Sequence, residues 1–116
     1  HLPAVLDVCA EYPCRSYQGE YRSLPLLDMV TPSENDLVQT ALILETLRQK
    51  HDKVLICCAL GYGRSAAVVL TWLLVYGGYK DLAQAKAELK QARPQMVLSL
   101  ATAQAVEAAA NRLKQG

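Results

Sequence analysis

The stretch Lys53-Val54-Leu55-Ile56-Cys57-Cys58-Ala59-Leu60-Gly61-Tyr62-Gly63-Arg64-Ser65 decides how this chain is read. Its first half is a compact apolar run after a charged turn, the pattern of a central strand in a parallel sheet. Its second half leaves that strand through a cysteine, passes two glycines and ends on an arginine that opens a helix. Glycines let a backbone curl so that successive N–H groups point inward, and a helix N-terminus adds positive potential. The planar fork of Arg64 can grip two oxygens of one anion. The loop therefore reads as a phosphate cradle. The field that favours an anion also favours the Cys58 thiolate, since cysteines in such places have pKa values lowered to about 3.5–7.5. Ser65 can donate a hydrogen bond to that sulfur or help it leave. A nucleophile and an anion hole stand together. The plainer alternatives are a buried structural thiol at Cys58 and a helix-terminal charge at Arg64. A cation at a helix N-terminus opposes the dipole, so Arg64 calls for an anion beside it.

Working outward, the elements alternate in an α/β sense. Residues 4–9 (A-V-L-D-V-C) form a short apolar strand, and residues 11–20, with Pro13, Cys14, Ser16 and Gly19, a loop. Residues 21–25 form a second strand, which Pro25 assigns to a sheet edge. Residues 26–32 are a loop carrying Asp28. Ser33 caps a helix, with Asp36 three residues on, and that helix runs to Lys50. Leu37, Ala41 and Leu44 make its apolar stripe, Val38 and Leu42 widen it, and Asn35, Gln39, Thr46 and Gln49 lie away from it. The helix after the cradle runs from about Arg64 to Tyr76 and ends at Gly77-Gly78. Asp81 caps a third helix with Leu82, Ala85, Leu89 and Ala92 on one face, stopped by Pro94. Ser99 caps a last helix with Leu100, Ala103, Val106, Ala110 and Leu113 on one face. The fold class is α/β: a small, mostly parallel central sheet flanked by helices.

The chain has 116 residues and a net charge of +1, with 52% hydrophobic and 20% charged residues. That length predicts one domain over residues 1–116. The balanced charge argues against a nucleic-acid platform, and says little about a small anionic substrate. The longest apolar run, residues 66–76, is too short to span a bilayer. No charged leader precedes the first strand, and the chain opens on that strand directly, the pattern of a domain cut from a longer protein. Of the four cysteines, none forms a C-x2-C knuckle, and neither His1 nor His51 falls at a zinc-ligand spacing. Both histidines read as solvent-exposed and without a role.

The pattern C-x5-R-S between a strand and a helix resembles the cysteine-dependent protein tyrosine phosphatase superfamily. Its form here, Cys58-x-x-Gly61-x-x-Arg64-Ser65, is similar to the dual-specificity branch. V-C-A-E at 8–11, Y-R-S-L-P-L-L-D at 21–28 and R-P at 93–94 resemble further segments of that branch, so nearly the whole chain is covered. The resemblance implies a dual-specificity phosphatase-like fold and two-step hydrolysis of a phosphate monoester. Cys58 attacks phosphorus and forms a cysteinyl phosphate. Backbone N–H groups of Ala59, Leu60, Gly61, Tyr62, Gly63 and Arg64, with the Arg64 fork, hold the equatorial oxygens. Asp28 protonates the leaving oxygen and then deprotonates the attacking water. No metal or other cofactor is called for.

The implied partner is a phosphorylated protein, on tyrosine and also serine or threonine, or a small phosphomonoester; nucleic acid and membrane insertion are not implied. A monomer in the reducing cytoplasm is expected, and a membrane-tethered parent is compatible with the resemblance. One departure stands out. Relatives usually carry histidine before the nucleophile, and this chain has Cys57. That substitution favours an alternative, a catalytically weak module that binds phosphorylated ligands. Rhodanese-type sulfur transfer also uses a cysteine in an anion-binding loop, and Asp28 argues against it. Cys9, on a strand expected beside residues 53–57, is a candidate redox partner for Cys58. Tyr62 stands where it could stack on a substrate ring or simply cover the loop.

Overall fold

The computed structural model describes residues 3–9, 18–26, 31–57, 63–92 and 98–115. Three strands, β1 (Ala4–Cys9), β2 (Tyr21–Leu26) and β3 (Val54–Cys57), form a parallel sheet in the order β2-β1-β3. Among the described residues four helices accompany it: α1 (Glu34–Lys50), α2 (Gly63–Val75), α3 (Leu82–Ala92) and α4 (Leu100–Gln115). Parallel neighbours require a crossover between them, and α1 supplies the one that leads into β3. Among the described residues the expected edge position of the second strand holds, and the expected central position of residues 53–57 does not. Among the described residues the middle strand is β1, and β3 pairs with β1 alone. Accordingly Leu55 is 52% exposed, whereas Ala4, Val5, Leu6 and Val8 of β1 are all buried.

The caps form where the sequence places them. Ser33 accepts from the Asp36 N–H at 3.0 Å. Asp81 accepts from the Gln84 N–H at 2.9 Å, and Ser99 from that of Thr102 at 3.1 Å. Each satisfies a helix-terminal donor that has no intrahelical partner. At the far end of α2, Gly78 has φ of +84°, in the left-handed region. The Tyr79 N–H then turns back to the Leu73 carbonyl at 3.5 Å. Gly77 serves closeness instead: a Cβ there would stand 2.8 Å from Leu73 Cα.

The core lies on the sheet face that carries Ala4, Leu6 and Val8. Leu37, Leu44 and Leu47 of α1, Ala67, Val68, Leu70 and Leu74 of α2, Ala85 of α3, and Val106, Ala109 and Ala110 of α4 complete it. α2 packs against all three other helices. Several stripe assignments need correction. Leu42 is 40% and Leu100 75% exposed, and Ala92 is exposed. Thr40 takes a buried place on α1, its hydroxyl satisfied by the Asp36 carbonyl at 2.9 Å. Leu42 and Leu100 turn outward because each helix buries only the arc that meets its neighbours. No helix of the described residues is long and apolar enough to cross a membrane.

Candidate active site

Because the strands are parallel, their carboxyl ends share one edge of the sheet, and α2 starts from that edge. In open α/β sheets this is where ligands bind. Arg64 stands in the first turn of α2 and is 5% exposed. Its Nη1 donates to the Leu26 carbonyl at 3.0 Å. Leu26 closes β2 and is 2% exposed. The guanidinium therefore ties the beginning of α2 to the end of β2, bringing together two segments 38 residues apart in sequence.

Local backbone chemistry sets up this contact. Asp7 pairs with Ser23 and Cys9 with Leu26, so β2 carries one residue more than β1 between the two pairings. Such a bulge bends a strand and re-aims the residues beyond it. Pro25 lies within it, where the missing N–H of proline takes least from the ladder. The bulge thus delivers the Leu26 carbonyl at the point where the fork of Arg64 meets it.

Gly63 is the first residue of α2, and the half-buried Ser65 comes directly after Arg64. Cys9 closes β1, in register with Leu26, and Cys57 closes β3, in register with Asp7. The strand carrying Cys9 is adjacent to β3, as the sequence leads one to expect. Cys58, Ala59, Leu60, Gly61, Tyr62 and Asp28 lie outside the described residues. So do Cys14, Arg93, Pro94 and His1. Electrostatically, a buried guanidinium at the positive end of a helix is unfavourable by itself, and an anion bound there reverses the sign.

Two features escaped the sequence reading. Asp7, 3% exposed on the middle strand, accepts a hydrogen bond at Oδ2 from the Tyr21 hydroxyl. The signal was present, an aspartate inside the otherwise apolar A-V-L-D-V-C. His51 is also not idle. Its Nε2 lies 2.8 Å from Glu20 Oε1, while Lys50 Nζ is 3.6 Å from Glu20 Oε2. The His51 hydrogen bond, assisted by the nearby Lys50 charge, holds the Glu20 carboxyl below its ordinary pKa. This cluster stands where β2 and β3 begin, with the Val5 N–H on the Glu20 carbonyl and the Ala4 N–H on that of Lys53. It fastens the edge of the sheet opposite Arg64.

A parallel sheet whose carboxyl edge receives a helix through a buried arginine, after a C-x5-R sequence, marks a phosphatase-type α/β domain. The chain belongs to the dual specificity phosphatase family: residues 1–110 match its catalytic domain. It is an enzyme of the dual-specificity protein tyrosine phosphatase type. Its fold is similar to that of human DUSP28, with a TM-score of 0.82 and 22% identity, over 98% of this chain and 80% of that one. It is similar to Tk-PTP in the active form at a TM-score of 0.70 and 27% identity, over 97% and 78%. It also resembles PTPMT1 in complex with PI(5)P at a TM-score of 0.77 and 13% identity, over 98% and 80%. Comparison with curated protein sequences gave no significant match.

Proposed function

We propose that the chain hydrolyses phosphate monoesters through a cysteinyl-phosphate intermediate, with phosphoprotein as its principal substrate class. The observation that carries this reading is the Arg64–Leu26 contact, which joins the segment following Cys58 to the segment preceding Asp28. In the proposed first step the Cys58 thiolate attacks phosphorus, the P–O bond to the leaving group breaks, and Asp28 donates its proton to that oxygen. In the second, Asp28 takes a proton from water, the new hydroxide attacks phosphorus, and the S–P bond breaks. Arg64 and the backbone N–H groups of residues 59–64 hold the three equatorial oxygens throughout. Ser65 supplies a hydroxyl to the departing sulfur. The reaction is run by side chains and backbone dipoles. A thiolate nucleophile functions in a reducing compartment, where cysteines stay thiols.

Cys57, standing where relatives usually have histidine, favours a second reading in which the domain captures phosphorylated ligands with little turnover. Hydrolysis of a small aryl phosphate, measured for wild type and Asp28→Asn, separates the two. The hydrolase reading predicts vanadate-sensitive turnover that falls about 100-fold or more in Asp28→Asn, the upper range for one general acid. Phosphopeptide binding without turnover in wild type would establish the capture module instead.

A further inference from the structure

We propose that Leu100 is a specificity-determining residue, which seats an apolar side chain of a peptide substrate close to the phosphorylated residue. The inference rests on the phosphatase reading and deepens it. Leu74 in the last turn of α2, Leu82 at the start of α3, and Ala110 and Lys114 of α4 line one cavity of about 120 Å³. The end of α4 therefore stands beside the end of α2, against which it packs. Leu98, just before α4, and Leu113, in its last turn, both pack against the core, so the whole helix lies along it and its start lies toward the start of α2. A helix rises 1.5 Å per residue, so Arg64 stands about 15 Å before Leu74 and Leu100 about 15 Å before Ala110. Packed helix axes are about 8–10 Å apart. Leu100 is thus level with the buried Arg64, one helix away, at the carboxyl edge of the sheet.

Helical spacing also fixes the flank on which it lies. Positions 100, 107, 111 and 114 share one side of a 3.6-residue helix. Farther along, that side carries Glu107, Asn111 and Lys114 to the cavity beside Leu74. Leu100 lies on the same flank, and it is 75% exposed. Single exposed leucines are ordinary on protein surfaces. This one is set apart by its place and its company. No charged residue occurs from Leu98 to Val106, and Ala101, Gln104 and Ala108 make up exposed surface of the same helix. Small neighbours leave the leucine standing clear, and an apolar partner can dock there without stripping water from an ion. An extended peptide advances about 3.3–3.6 Å per residue. With its phosphate held at Arg64, a side chain two or three positions from the phosphorylated residue covers the distance to Leu100.

The test scans leucine, and separately lysine, through the three positions on either side of phosphotyrosine in an otherwise serine-flanked peptide. The kcat/KM of wild type, Leu100→Ser and Leu100→Glu is measured on each peptide. Burying most of one leucine side chain is worth about tenfold, so in wild type leucine two or three residues from the phosphotyrosine should raise kcat/KM about tenfold over serine. Leu100→Ser should bring that ratio to about twofold or less, and Leu100→Glu should move the preference at the same position from leucine to lysine. Because the residue is exposed, Tm should stay within about 2 °C of wild type, which separates changed specificity from changed folding. A wild type indifferent to leucine at every position, or a preference that Leu100→Ser leaves intact, would overturn the proposal. Should wild type show no turnover, the hydrolase reading fails separately. The Kd for the same peptides by calorimetry then decides the role of Leu100. The same preference of about tenfold is expected in wild type and its loss in Leu100→Ser, while equal binding of all peptides, or none, refutes it.

Discussion

Arg64→Lys keeps the positive charge and removes the planar fork, so it isolates what the geometry of Arg64 contributes. In the native fold Nη1 is committed to the Leu26 carbonyl at 3.0 Å, which orients the rest of the group. Lysine has three donors on a flexible stem and cannot both satisfy that carbonyl and grip two oxygens of one phosphate. The substitution has two effects, which can be measured separately. The Leu26 carbonyl belongs to a residue 2% exposed, and a buried acceptor that loses its donor costs about 1–3 kcal/mol. Unfolding entropy is about 2.1 cal/mol/K per residue, or about 0.24 kcal/mol/K for 116 residues, so Tm should drop by about 4–12 °C. Loss of one preorganised donor to a developing oxyanion costs about 100- to 1,000-fold, which sets the expected fall in kcat/KM. The assays are thermal unfolding, and aryl phosphate hydrolysis at a temperature well below both melting points. A variant with Tm lowered and kcat/KM within about threefold of wild type would refute the reasoning, because Arg64 would then be a strap between α2 and β2 and nothing more.

Three further outcomes are expected. Glu20→Gln should lower Tm at neutral pH. The native carboxyl is depressed below its ordinary value of 4.5, so its contribution is complete above that pH and is lost as pH falls through the lower folded value. The Tm difference between variant and wild type should therefore close in acid, and a difference independent of pH would contradict this. Gly77→Ala should destabilise by about 1–3 kcal/mol, since its Cβ would meet Leu73 Cα at 2.8 Å within packed backbone. Gly78→Ala meets no neighbour within 4 Å and should lose only the strain of a positive φ, about 1 kcal/mol, so chemical denaturation should rank Gly77→Ala as the worse. Peroxide should oxidise the Cys58 thiolate to the sulfenic acid, the O–O bond breaking with release of hydroxide. The Cys9 thiol then attacks that sulfur, the S–S bond forms, the S–O bond breaks and water leaves. Mass mapping should find a Cys9–Cys58 link that thiol reductants reverse, and its absence would remove Cys9 from any redox role.

Much of the fold was legible because it is written in local chemistry. Ser33, Asp81 and Ser99 announce helix starts through their side-chain oxygens, and Gly77-Gly78 announces a stop. The start of α1 comes directly from such a signal. Strand order was not legible. V-L-I-C and A-V-L-D-V-C are both short apolar runs, and periodicity cannot say which of two such runs has neighbours on both sides. Leu55, Leu42 and Leu100 show the same limit, since an apolar residue is buried only where another element comes to meet it. The site divides in the same manner. C-x5-R is contiguous and could be read at once. The Arg64–Leu26 hydrogen bond and the Asp7–Tyr21 pair each join residues far apart in sequence and exist only after the strands align. His51 was misjudged for that reason, its partner Glu20 lying 31 residues away.

The central claim is that Cys58 performs the chemistry. The most direct measurement is single-turnover reaction of wild type and Cys58→Ser with an aryl phosphate, with acid quench and mass analysis of the intact protein. Wild type should show a transient gain of one phosphoryl group on Cys58, and Cys58→Ser neither phosphoryl-enzyme nor turnover. Turnover that survives in Cys58→Ser would contradict it.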